Sequence, residues 1–341
     1  MTRAGRLVAI AIGLPALALV GCGPTLHDAA QQTLPVGDDP LALLPSGADL
    51  VIDVDVLQLR TWPETPRFLQ LLPPDAQARL GRLGFDPLAD VDQLVLSVAQ
   101  LGTPLSVSTL LVRGDLDLDK ARAGLGPDGT VSDVDYRGTK ISEGPEGALA
   151  RVTPRLFVLG SRASVRRVID LARGEGVSVR ANDRELMAAL ARAPTAKDGR
   201  PAIRSALVPS EPLRAELRAQ GLPGASIEWL ALSLAVGDGF DVGAIAGYRG
   251  QAEARDALAE MRASLREFAG RKTITLLGLR PYLDPIVMVG RDSELHLAYR
   301  LAGTTVDHML ARLDAVTALA HRAPAPDSAT PSPAPEGRLG Q

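Results

Sequence analysis

Several stretches of this 341-residue chain have residue types that could carry chemistry. Gly124-Leu125-Gly126-Pro127-Asp128-Gly129 spells G-x-G-x-x-G. A dinucleotide site needs that pattern after a strand and at the start of a helix, where free amides face a pyrophosphate. Here it closes a helical stretch and precedes an extended one, so it reads as a turn using glycine's conformational freedom. Asp115-Leu116-Asp117-Leu118-Asp119 starts like a calcium loop, but Lys120 follows where glycine is required. Gly126 stands where a chelating glutamate belongs, so the aspartates read as a strand exit and a helix cap. Asp53 and Asp55, two apart on an extended run, share a face and could act as paired carboxylates. An edge or solvent-facing position accounts for them more simply.

The four histidines, His27, His296, His308 and His321, have no metal-ligand spacing and no H-E-x-x-H. Asp307 and His308 are adjacent on a helical stretch and so do not face each other; a solvated helix face is expected. No serine lies in G-x-S-x-G. Only Lys120, Lys140, Lys197 and Lys272 could supply a Schiff-base amine. Trp229 lies in an apolar strand and is expected in the core, whereas Trp62, before Pro63, is expected half-exposed. Aromatic residues are 3% of the chain, few for a sugar-stacking platform. No catalytic residue, cofactor or metal site is expected.

Cys22 is the only cysteine, which excludes an intramolecular disulfide. It ends a distinctive segment. Arg3 and Arg6 form a positive start, and Leu7 to Ala18 an apolar run broken by Gly13 and Pro15. That run is shorter than the ~20 residues a membrane-spanning helix needs, and it fits a signal peptide. Leu19-Val20-Gly21-Cys22 resembles the lipobox of bacterial lipoproteins. The resemblance implies a diacylglycerol on Cys22, cleavage after Gly21 and acylation of the new amino terminus. Gly23, where enteric lipoproteins use aspartate for inner-membrane retention, then leans toward the outer membrane. Removing Arg3 and Arg6 with the leader changes the net charge from −3 to −5, so no basic field recruits nucleic acid.

The remaining chain has the balance of a globular protein, 46% hydrophobic and 23% charged. Residues 22–40 are polar and punctuated by Pro and Gly, a flexible tether. Residues 323–341 carry five prolines and too little apolar surface to fold. Strands are expected at Asp49–Asp55, in hairpins Gln93–Gln100 with Leu105–Arg113 and Ala148–Val152 with Leu156–Gly160, and at Ala202–Val208. Further hairpins are expected at Ile227–Val236 with Asp241–Tyr248 and Pro285–Val289 with Glu294–Leu301. Helices are expected after Thr65-Pro66, at 74–83 before Gly84, and from Asp117, Ser161 and Ser210. Another opens at an Asn182-Asp183-Arg184-Glu185 capping box. The last two span 250–268 and start from Thr304 or Thr305.

The two halves match in order and partly in letters. At an offset of 136, Leu94–Ala99 faces Leu230–Ala235, Arg113-Gly114 faces Arg249-Gly250, and Ala121 and Ala123 face Ala257 and Ala259. That is eight identities in thirty positions. A duplicated unit follows. The expected class is α+β: tandem modules at 41–194 and 195–322, each an antiparallel sheet with helices on one face. Three segments resemble bacterial envelope lipoproteins with a duplicated α+β domain of unknown function. They are Leu43–Asp49, Leu83–Asp92 and Leu159-Gly160-Ser161, and the resemblance implies no activity.

The expected function is a lipid-anchored, periplasm-facing binding or scaffold protein, tied to the membrane through Cys22 and to an envelope partner. The alternative is a carrier or sensor of an apolar ligand in a concavity between the sheets. An enzyme assembled from distant loops comes third.

Overall fold

The computed structural model describes residues 39–70, 85–126, 130–195, 200–219 and 226–322, with side chains to 313. The leader with Cys22, the tether up to residue 38 with His27, and the tail at 323–341 lie outside the described residues. So do the helix expected at 74–83, Pro127–Gly129, Lys197 and the side chain of His321.

Alternating apolar residues make long strands, and the strands join in one sheet. In the first half they are β1 (Leu50–Asp55), β2 (Val91–Ala99), β3 (Val107–Gly114), β4 (Ser132–Tyr136), β5 (Thr139–Gly144), β6 (Gly147–Thr153) and β7 (Leu156–Gly160). In the second they are β8 (Ile203–Leu207), β9 (Ile227–Gly237), β10 (Gly239–Tyr248), β11 (Val287–Arg291) and β12 (Glu294–Leu301). Their order across the twelve-stranded sheet is β11-β12-β10-β9-β8-β1-β2-β3-β7-β6-β5-β4. Neighbours are antiparallel, including the seam between β1 and β8, where Val51 opposes Ala206 and Asp53 opposes Arg204.

The class is α+β, as expected, but the sheets are not separate and the helices do not keep to one face. One face carries Val51, Val95, Leu111, Val158 and Ala206. It is covered by α4 (Arg162–Ala172), α5 (Val179–Asn182) and α6 (Arg184–Ala191). Val165, Val168 and Ile169 of α4 are fully buried there, on the face that helical spacing assigns them. The opposite face carries Ile52, Leu96, Leu110 and Phe157, under α1 (Val56–Arg60) and α3 (Leu118–Arg122). In the second half, α8 (Gln251–Ala269) and α10 (Gly303–Arg322) lie on this second face as well. The sheet is therefore the middle layer of three over its first half. α2 (Thr65–Gln70), α7 (Glu211–Ala219) and α9 (Lys272–Leu276) complete the described helices.

Local signals were honoured unevenly. Ser161 caps α4 by accepting from Ser164 N at 3.1 Å, and Asp117 caps α3. Asp183 precedes α6 but gives it no side-chain cap; its carboxylate accepts from Gly47 N at 2.8 Å. Thr65 also fails as a cap: it lies within α2, and its hydroxyl donates to Leu59 O at 2.6 Å. α10 begins at Gly303, ahead of both threonines. The β4–β5 hairpin has no counterpart among the strands expected from the sequence. Its turn is Arg137-Gly138, both at positive φ, which matches the twist of a two-residue hairpin.

Register decides how far the letter match extends. Ser97 opposes Thr109, and Ser233 opposes Gly243. An offset of 136 therefore relates β2 to β9, but 134 relates β3 to β10, because the β9–β10 turn is shorter. Arg113 then aligns with Gly247, not with Arg249.

Candidate binding cleft

A polar cleft lies between α6, α7 and the start of β9. It encloses about 330 Å³ and is lined by Glu185, Ala188, Ala189, Arg192, Arg214, Glu228 and Trp229. The local sequence explains the opening. α6 turns Leu186, Ala189 and Leu190 to the sheet, leaving Glu185 and Arg192 on its flank. α7 (EPLRAELRA) buries no residue fully, so it stands off the sheet. Arg214 on α7 is held by its own chain, its Nε donating to Pro209 O at 2.9 Å.

A bulge shapes the floor. Gly247 pairs with Trp229 and Tyr248 with Ile227, so Glu228 is an extra residue on β9. Bulges re-aim side chains, and this one sets Glu228 beside Trp229 in the cleft wall. The Trp229 ring lies over Gly247: a Cβ there would meet the indole Nε1 at 2.1 Å. The Arg192 guanidinium lies over the same ring system, 4.7 Å from its centroid. Arg192 is itself held by Glu294 at 3.0 Å, and His296 Nε2 lies 3.1 Å from the same carboxylate. Glu228 pairs with Arg249 at 3.4 Å. Trp229, expected in the core, is thus half-buried and packed against it, with a polar neighbourhood. Arg192, Glu294 and Arg214 gave no sequence signal, because chain positions far apart meet only through the sheet order.

The other predicted positions are placed as follows. Asp53 is on a central strand, not an edge, and only 7% exposed. Its carboxylate accepts from Gln93 Nε2 at 2.8 Å and Arg204 Nη2 at 2.5 Å. Asp55 is separated from it functionally, capping α1 through Gln58 N at 3.0 Å. The two do not form a carboxylate pair. Asp307 pairs with Arg67 at 3.5 Å, and exposed His308 points elsewhere on α10. Trp62 is buried, not half-exposed, and packs in a tilted contact on Phe68 at 4.9 Å and edge-on to Phe240 at 6.1 Å between ring centroids.

A second polar cluster surrounds Glu143, which is 6% exposed. Arg166 reaches it at 2.8 Å and Arg162 at 3.3 Å. Arg166 also lies over the Tyr136 ring, whose hydroxyl donates to Asp170 at 3.1 Å. On β4, burial pushes the Asp133 carboxyl up. Hydrogen bonds from Lys140 and Ser142, and the Arg122 charge, outweigh it and hold the group below its usual value. Among the described residues no three His, Cys, Asp or Glu side chains gather as a metal site.

No family model matches the chain, and no curated protein matches it. Among solved structures it is similar to TP0453 in crystal form I, with TM-score 0.43 and 8% identity over 82% of this chain and 98% of that one. Form III of TP0453 gives 0.45 and 9% over 82% and 99%, and form IV gives 0.44 and 8% over 81% and 96%. A likeness of this degree bears on neither ligand nor function.

Proposed function

We propose that the chain is a lipid-anchored binding or scaffold protein of the bacterial envelope, facing the periplasm from the outer membrane, with no chemistry of its own. The observation that carries this reading is Leu19-Val20-Gly21-Cys22 at the end of a basic, then apolar, leader. Among the described residues no helix is long and apolar enough to cross a membrane, so acyl chains on Cys22 would supply the anchor. The cleft over Trp229 is where an envelope partner would be held. Arg192 is already neutralised by Glu294, and Glu228 lies near Arg249, which suits recognition by shape and charge pattern. The test is mass spectrometry of the native amino terminus. A diacylated or triacylated Cys22 is expected, lost in Cys22→Ala together with leader cleavage. An unmodified mature terminus overturns the reading.

A carrier of an apolar ligand has one observation in its favour. Two separate apolar clusters, around Ala254 under α8 and around Val306 under α10, flank Leu232, Ala244 and Leu297. Those three share a face by register, are half-buried or nearly so, and belong to neither cluster among the described residues. Native purification with lipid mass spectrometry should return a stoichiometric lipid if this reading holds, and none if it does not.

We further infer that the halves descend from one duplicated unit. Reading outward from the seam, β8-β9-β10-β12-β11 repeats the sequence-order pattern of β1-β2-β3-β7-β6. A helix follows β3 and β10 alike, and another follows β7 and β12. Superposition of an experimental structure should place Ser97 on Ser233; their falling on unrelated strands would reject descent from one unit.

A further inference from the structure

The sheet ends differently at its two edges. β4 carries Asp133 and Asp135, charges of the kind that discourage another strand from adding on. β11 reads Val287-Met288-Val289-Gly290-Arg291, with no charge or proline in its first four residues. Val287 is 54% exposed and Val289 40%. Both lie on the face that α4, α5 and α6 cover elsewhere; those helices rest on β1, β3 and β5–β9 and stop short of β11.

The register fixes which backbone groups are open. Asp292-Ser293 is a two-residue turn, so Arg291 and Glu294 form the hydrogen-bonded pair that closes the hairpin. Pairing alternates from there, so Val289 and Val287 bond inward to β12. Met288 and Gly290 turn their N–H and C=O groups outward. In keeping with this, the Arg262 guanidinium donates to Met288 O from outside the ladder, at 2.7 Å.

We propose that β11 is a self-pairing edge: two copies of the chain join antiparallel about Val289, and Arg262 competes for the same carbonyl. A two-fold at Val289 sets Met288 of each copy against Gly290 of the other, and the two pairs exchange four hydrogen bonds. Val289 meets Val289 as the close, non-hydrogen-bonded pair, side chain to side chain on the uncovered face. Arg291 falls opposite Val287, so the like-charged guanidinium groups are kept apart. The strand is therefore complementary to itself in hydrogen bonding and sets no like charges opposite each other. Its free partner is a second copy, an isologous contact. Five residues make a small interface, and Arg262 must leave Met288 O before it forms.

Disulfide trapping in cells that express the full chain tests the register. In Val289→Cys the two Cα atoms would lie about 4.5 Å apart, within disulfide reach. In Arg291→Cys they would lie about 14 Å apart, outside it. The expected result is a disulfide dimer several-fold above wild type, whose only cysteine is Cys22, for Val289→Cys and not for Arg291→Cys. Adding Arg262→Ala should raise that yield about threefold or more. Equal yields at 289 and 291, no dimer above wild type, or no gain from Arg262→Ala overturns the proposal. Because a cysteine could perturb β11, sedimentation of Arg262→Ala in detergent micelles gives an independent readout. A concentration-dependent dimer, abolished by also introducing Val289→Lys, supports it, and a monomer at every concentration overturns it.

Discussion

Asp53 shows how little of a side chain's role its neighbours in sequence reveal. The alternation around it marks a strand, and Asp55 two places on suggests a solvent face. The partner that buries it, Arg204, lies 151 residues away and arrives only because β8 pairs with β1. Replacing Asp53 by Ala strands the donors of Gln93 and Arg204. Arg204 is 44% exposed and can turn to water, so the expected cost is about 1–3 kcal/mol, the range for a lost buried hydrogen-bonding partner. Urea unfolding should show a lower midpoint with an unchanged slope; no shift in midpoint would contradict the burial. The tyrosines give a pH test. Burial pushes the phenols of Tyr248 and Tyr299 up to about 12, helped at Tyr248 by the Glu260 charge. The unfolded chain ionises them near 10. Between those values the native state holds more protons, so their contribution is complete below pH 10 and is lost as pH rises toward 12. Absorbance at 295 nm should show a late-titrating phase that shrinks in Tyr248→Phe and in Tyr299→Phe; no late phase with the fold intact would contradict this.

Elements were most legible where alternation is strong and both strands of a hairpin are apolar, as in Leu94–Ala99 and Leu230–Val236. They were least legible where the pattern is polar. Ser132–Tyr136 and Thr139–Gly144 carry three acids and a lysine, and their turn lacks the Asn-Gly or Asp-Gly that announces a hairpin. Caps failed for a related reason: Asp183 has the right position for α6, but the backbone of Gly47 and Ala48, 136 and 135 residues earlier, takes its carboxylate. The cleft was hidden because a bulge, not a motif, brings Glu228 beside Trp229. The β9–β10 pair offers a direct test of that floor. Gly247→Ala places a methyl where the Trp229 indole lies. Overpacking of this kind costs about 1–3 kcal/mol, because the ring must leave its place over the strand to admit the methyl. In a Trp62→Phe background Trp229 is the only tryptophan, so its emission should shift as the ring is displaced. Unchanged emission and stability together would show that the ring does not cover Gly247. The background itself should be mild, since the buried Trp62 Nε1 has no hydrogen-bond partner among the described residues, whereas Trp62→Ala should cost about 3–5 kcal/mol.

At the scale of the whole molecule, the seam makes the two halves one cooperative body. Val51 and Ala206 face each other across β1 and β8, both buried in the same core as Val95, Val158 and Ile169. On the other face, Trp62 from the first half packs with Phe240, Val306 and Leu310 from the second. Neither half can unfold without opening an edge in the middle of the sheet and stripping a shared apolar cluster. The sequence, read as tandem modules, leads instead to two separate sheets and two independent transitions. What it could not show is that the first strand of each module is an edge strand within it, so that the two open edges join there. Denaturation of the Trp62→Phe chain should therefore give coincident curves by Trp229 emission, which reports the second half, and by far-UV circular dichroism, which reports both. Ala206→Glu, which buries a charge at the seam, should lower both midpoints together by several kcal/mol of stability. Two steps in the dichroism, with Trp229 following only one of them, would show that the halves fold independently and that the seam contributes little.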